Sequence, residues 1–222
     1  MAYQFDFGSV LAYTPMLLKG VAVTVELTVF GAVFGLLIGV AGAWARTQGP
    51  AWARGPVTAY VELVRNTPFL IQLFFIFFGL PSLGIHMGEM NAACLAMALN
   101  LAAYCTEIIR AGIAATPRGQ FEAAASLAMS RGQAFVHVVI KPALRRVWPA
   151  LVSQIVIVML GSAVCSQIAA PELSYAANFI QSRNFRAFES YLVATGLYLA
   201  LSLLTRQVLL LLGHRYFDRR SA

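Results

Sequence analysis

Charge is what this chain has least of. Asp, Glu, Lys and Arg make up 11% of its 222 residues, less than half of the roughly 25% usual in a soluble domain. A water-facing surface is hard to keep in solution on that supply, whereas helices facing lipid need almost none. Cysteine is equally sparse: Cys94, Cys105 and Cys165 lie far apart in or beside apolar stretches. That spacing excludes a paired metal motif and a disulfide framework. His86, His137 and His214 form no His-x-x-x-His ligand spacing, and no glycine loop leads into Lys-Ser or Lys-Thr. No Ser/His/Asp arrangement falls on one side of the pattern, and no internal repeat is visible. The first fifteen residues carry no basic leader, so the first apolar segment is expected to be retained rather than cleaved.

What is present is apolar and segmented, with hydrophobic residues at 59% of the chain. Five stretches, about 21–44, 57–80, 90–109, 147–169 and 191–212, each approach the roughly 20 residues that cross about 30 Å of hydrocarbon. In the first, Gly31, Gly35 and Gly39 recur every fourth residue, a spacing that lets two helix backbones approach closely. In the second, Pro68 removes a helical hydrogen bond, so a kink or boundary is expected there. The third is interrupted by Asn91, Asn100, Tyr104, Thr106 and Glu107; a helix this polar belongs inside a bundle or beside a path. Between the third and fourth lies the longest stretch without a spanning segment, about 111–146, whose alanine-rich part from Glu122 to Met129 favours helix.

The formal net charge of +7 does not point to nucleic acid, because the basic residues fall in short blocks between apolar segments without aromatic interleaving. One set of loops and helix ends holds Arg46, Arg54, Arg65, Arg110, Arg118, Arg131, Lys141, Arg145, Arg146, Arg206, Arg215, Arg219 and Arg220. The other holds only Lys19, Arg183 and Arg186. Positive residues stay on the cytoplasmic side, so the amino terminus is expected outside and the carboxyl terminus inside.

Within 111–146, Gly119-Gln120-Phe121-Glu122-Ala123-Ala124-Ala125-Ser126-Leu127 resembles the coupling loop of permease subunits in binding-protein-dependent ABC importers. More narrowly, the chain is similar to the polar amino acid permeases of the histidine, glutamine, lysine/arginine/ornithine and opine type. The matching elements spread over most of its length. They are Arg65-Asn66-Thr67-Pro68-Phe69-Leu70-Ile71-Gln72 with Phe78-Gly79-Leu80-Pro81; Ala103-Tyr104, Glu107 and Arg110-Ala111-Gly112-Ile113; and Glu172-Leu173 with Arg186-Ala187-Phe188-Glu189-Ser190-Tyr191. The resemblance implies one all-α permease domain over 1–222, with five transmembrane helices of the type I importer fold, in the bacterial inner (plasma) membrane. It also implies separate partners: two copies of a cytoplasmic ABC ATPase that uses the ATP, a second permease (homologous or identical), and a periplasmic or extracellular amino acid binding protein. No cofactor or metal is expected on this chain, and no catalysis.

At the residue level the resemblance implies that Gly119, Glu122, Ala123, Ala124 and Leu127 dock on the ATPase. Gln72, Asn100, Tyr104, Glu107, Arg110, Ser162, Ser166 and Gln167 are candidates for a translocation path or for polar helix contacts. Glu107 and Arg110, at i and i+3, are spaced to pair on one face. Glu172, Arg183, Arg186 and Glu189 are candidates to face the external receptor, or to be solvated. Departures from the family pattern are Ala128 at a usual glycine, Ile140-Lys141-Pro142-Ala143 for Leu-Pro-Gln-Ala, Ser153 for asparagine, and Leu160-Gly161-Ser162-Ala163-Val164 for Lys-Asp-Thr-Ser-Leu. The substrate class is a polar or charged amino acid, with basic ones and glutamine all open. Two rival functions are a secondary transporter, disfavoured by five segments without an inverted repeat, and a largely structural permease-like scaffold.

Overall fold

A computed structural model describes residues 4–217, and every regular element among them is helical. Asp218, Arg219 and Arg220 of the basic tail therefore lie outside the described residues. In chain order the helices are α1 (Gly8–Leu11), α2 (Thr14–Thr47), α3 (Ala51–Arg65), α4 (Phe69–Phe74), α5 (Glu89–Ala114), α6 (Arg118–Ser126), α7 (Arg131–Ala134), α8 (Ile140–Gly161), α9 (Leu173–Asn184) and α10 (Ala187–Phe217). A π-helical turn, Phe135–Val139, joins α7 to α8, and a 3₁₀ turn, Ser162–Ile168, extends α8. Four helical runs are long and apolar enough to cross a membrane: Thr14–Thr47, Glu89–Ala114, Arg131–Ile168 and Ala187–Phe217.

The second expected segment is not one straight span. Ala51–Arg65 and Phe69–Leu83 meet at 114° across Asn66-Thr67-Pro68, and together they supply a fifth crossing only as a bent pair. The helix of the fourth span also begins earlier than expected, at Arg131 rather than near 147, because Ser130 and Gln133 close a capping box there. The polar stretch 171–189, between the fourth and fifth apolar segments, contains α9.

α5 is the centre of the bundle: 67% of its most apolar stretch is buried, against 6% for α10. The difference follows from side-chain size. α5 presents Ala92, Ala93, Ala96, Ala102 and Ala103 inward, all at most 1% exposed. α2 meets it with the glycine stripe. A Cβ at Gly35 would stand 2.9 Å from Leu101, and one at Gly39 would stand 2.5 Å from Cys105 Cβ. Both are closer than real Cβ contacts allow, so the two backbones approach only because these residues are glycine. On α10, Leu199, Leu203, Leu204, Val208, Leu211 and Leu212 are instead more than half exposed, as lipid-facing residues should be.

Candidate functional site

A helix end leaves carbonyls without partners inside the helix, and each must find one elsewhere. At the break after α3 the chain supplies them from side chains. Asn66 Nδ2 donates to Glu62 O at 2.7 Å, and Thr67 Oγ1 donates to Leu63 O at 2.8 Å. Gln72 Nε2 donates back to Val64 O at 2.7 Å and Thr67 O at 3.0 Å. The Gln72 carbonyl then accepts from Asn100 Nδ2 at 2.9 Å, which anchors the break to the midpoint of α5. Pro68 makes the bend obligatory: it has no N–H, takes ψ 139°, and begins α4 from an extended conformation. Of the expected polar residues, Gln72 and Asn100 are thus joined to each other. Asn66, whose amide closes the last turn of α3, was not singled out from sequence.

Beside this break lies a cavity of about 300 Å³, lined by Thr67, Phe69, Asn100, Tyr104, Gln154 and Ile157 among others. Gln154 was also missed, although it is the one amide in an otherwise apolar run of α8. The Arg65 guanidinium stands 5.7 Å from the Tyr104 ring centroid. One turn further along α5, Glu107 holds two cations. Arg110 grips it through Nε at 3.0 Å and Nη2 at 2.5 Å, and Arg46, from the end of α2, reaches it at 2.5 Å. The i, i+3 spacing pointed to Arg110; Arg46 is 61 residues away in sequence and no local pattern reveals it. Ser162, Ser166 and Gln167 do not line this cavity. Ser162 is fully buried, Ser166 donates to Ala163 O, and Gln167 is exposed beyond the end of α8.

The expected coupling segment is the helix α6, and one face of it is open. Gly119, Glu122, Ala123, Ser126 and Leu127 are all exposed, Leu127 at 75%. Their i, i+3, i+4, i+7 spacing puts them on one stripe. Ala124 is corrected: at 2% exposure it lies on the opposite face, where Phe121 packs toward the core. The segment is tied to the bundle by Arg146, whose Nη1 donates to Ala115 O at 2.5 Å beyond the end of α5.

At the opposite end two expected surface carboxylates are inside. Glu172 and Glu189 are both 0% exposed, so neither presents its side chain to an external partner. Glu172 is the N-cap of α9, accepting from Tyr175 N at 2.8 Å, and it also accepts from the Tyr198 hydroxyl. Burial pushes its carboxyl up from the ordinary range, while Tyr198 and the α9 backbone N–H groups pull it back. Glu189 accepts from Asp6 N at 3.0 Å and lies 3.7 Å from Arg186, which donates to Gln4 O. Arg183 is exposed, with its guanidinium 5.1 Å from the Phe179 ring centroid.

Residues 31–221 match the family of binding-protein-dependent transport system inner membrane components. The chain belongs to this family. It is 31% identical to the glutamine transport system permease protein GlnP of Escherichia coli K12, over 96% of this chain and 98% of that protein. It is 30% identical to the arginine transport system permease protein ArtQ of Bacillus subtilis, over 90% and 92%. Among solved structures, the crystal structure of an amino acid ABC transporter with histidines superposes with a TM-score of 0.85 at 34% identity, covering 96% of this chain and 100% of that one. A MetNI methionine ABC transporter chain shares the fold, with a TM-score of 0.72 at 20% identity.

Two of the places where the sequence was expected to depart from the family pattern are informative in the structure. Ala128 follows α6 with φ +54°, a left-handed conformation that glycine adopts without strain. In the stretch Leu160 to Val164, α8 ends at Gly161, which lines the cavity, and Ser162 is fully buried.

Proposed function

We propose that this chain carries a polar amino acid across the bacterial inner membrane by alternating access, as the permease half of an ATP-driven importer. The observation that carries the reading is the broken span. Its capped carbonyl end, Asn100, Gln154 and Tyr104 border one cavity midway along the central helix, and irregular backbone at that depth is tolerated where it lines a path. The permeases of glutamine and arginine transport among its relatives support the substrate class.

In this reading the basic ends of the spans face the cytoplasm, with the amino terminus outside. The open stripe of α6 docks on a separate ATPase, two copies serving a pair of permeases, and that subunit binds and hydrolyses the ATP. Gly119 and Ala123 allow close approach, Glu122 makes the polar contact and Leu127 supplies the apolar anchor. Glu107, held by Arg46 and Arg110, stiffens the inner ends of α2 and α5 so that motion at α6 reaches the break. An external binding protein delivers the substrate. Affinity purification of the chain from its native membrane in mild detergent tests the assembly. The reading expects an ATPase and a second permease copy or relative in the eluate; recovery without any ATPase, while other ABC complexes survive, refutes it.

A further inference from the structure

At the basic end of the bundle, away from the break and from α6, a second cavity of about 260 Å³ separates α8 from α10. Arg145, Trp148 and Pro149 line it from α8, and Leu210, His214 and Phe217 from α10. Its wall is a built feature. Trp148 Nε1 donates to Leu209 O at 2.9 Å and the indole meets Phe217 edge-on at 5.6 Å between centroids, so the ring is fixed. Gly213 lies against the same indole, where a Cβ would collide with it. Any larger residue would push the two helices apart.

The surroundings are of two kinds. Toward the bilayer, α10 exposes Leu204, Val208, Leu211 and Leu212, each by more than half. At the mouth, residues 140–149 and 210–217 carry Lys141, Arg145, Arg146 and Arg215 and no acidic residue. Arg146 is engaged with the end of α5, and Arg145 and His214 also interact within the chain. The net positive field remains. A cationic mouth, an indole at the interface and an apolar groove leading into lipid are complementary to an amphiphile with an anionic head.

We propose that this cleft binds the phosphate headgroup of an anionic phospholipid from the leaflet at the basic end, with the acyl chains lying along α8 and α10. Arg145 supplies the charge for the phosphate and His214 a ring N–H, while Trp148 and Leu210 contact the glycerol and upper chain. The inference depends on membrane insertion and not on the transport reading.

Native mass spectrometry of the full chain, purified in mild detergent with the subunits that accompany it, tests the site. The assembly is titrated with dioleoylphosphatidylglycerol, dioleoylphosphatidylcholine or inorganic phosphate. The phosphatidylglycerol adduct should exceed the phosphatidylcholine adduct, and Arg145→Gln should reduce it about fivefold, the effect of one surface cation. Leu210→Trp, which fills the cleft without changing charge, should reduce it as well, while the remote Arg54→Gln should leave it unchanged. Equal binding of both lipids, or full retention in Arg145→Gln and Leu210→Trp, would overturn the proposal. Displacement by inorganic phosphate would identify a free-anion site instead. Binding by the isolated chain that disappears in the assembly would mean that a subunit, not lipid, covers this face.

Discussion

The two ends of the bundle each bury a carboxylate, and they satisfy it in opposite ways. At the basic end Glu107, with a side chain 24% exposed, is held by two guanidinium groups from different helices. At the other end Glu172 is fully buried and held by the N-terminus of α9 and a phenol. Ion pairs on long side chains can exchange partners as helices shift. A backbone cap cannot, because its donors belong to the helix it begins. Glu172 thus clamps α9 against α10, whereas the Glu107 ion pairs are the end that the proposed mechanism asks to transmit movement.

Removing each carboxylate should separate these roles. The largest effect is expected for Glu172→Ala, which removes the acceptor of Tyr175 N and one of the two partners of the Tyr198 hydroxyl, leaving it Ser174 Oγ; thermal unfolding in detergent should show a loss of about 3 kcal/mol. Glu107→Gln keeps the shape but removes the negative charge that Arg46 and Arg110 share. Its partial exposure limits the loss to about 2 kcal/mol, and the distinguishing result is a larger fall in coupled transport than in thermal stability. Glu172→Gln preserves an acceptor for Tyr175 N and should cost less than about 1 kcal/mol. If it is as damaging as Glu172→Ala, charge and not capping holds that end. The smallest effect is a gain: Ala128→Gly relieves the positive φ after α6 and should stabilise the segment by about 0.5 kcal/mol, visible as slower amide exchange in α6.

Local pattern made much of this architecture legible. Hydropathy located the apolar segments, the glycine spacing on α2 marked the contact with α5, and Pro68 marked a boundary. It did not reveal that the boundary is a 114° bend, because the angle is set by how Gln72 and Asn100 trap the broken end. Of the site, the exposed stripe of α6 follows from helical spacing once its helix is known, yet burial of Ala124 depends on which face Phe121 turns inward. Glu172 and Glu189 looked like surface charges because they lie in a polar stretch. Their partners Tyr198 and Asp6 are remote in sequence, and only the packing of α1, α9 and α10 brings them together. Arg46 escaped notice beside Glu107 for the same reason.

The central claim is that the broken span lines the path of an ATP-driven permease, and uptake into proteoliposomes tests it most directly. The chain would be reconstituted with its ATPase and receptor, and glutamine or arginine uptake measured with and without ATP for wild type, Asn100→Ala and Gln154→Ala. The account predicts ATP-dependent uptake in wild type that falls by about tenfold, the order expected when a buried polar contact worth 1–2 kcal/mol is lost from a pathway, while ATPase activity persists. Uptake that needs no ATP, or ATP-driven uptake that both substitutions leave unchanged, would contradict it.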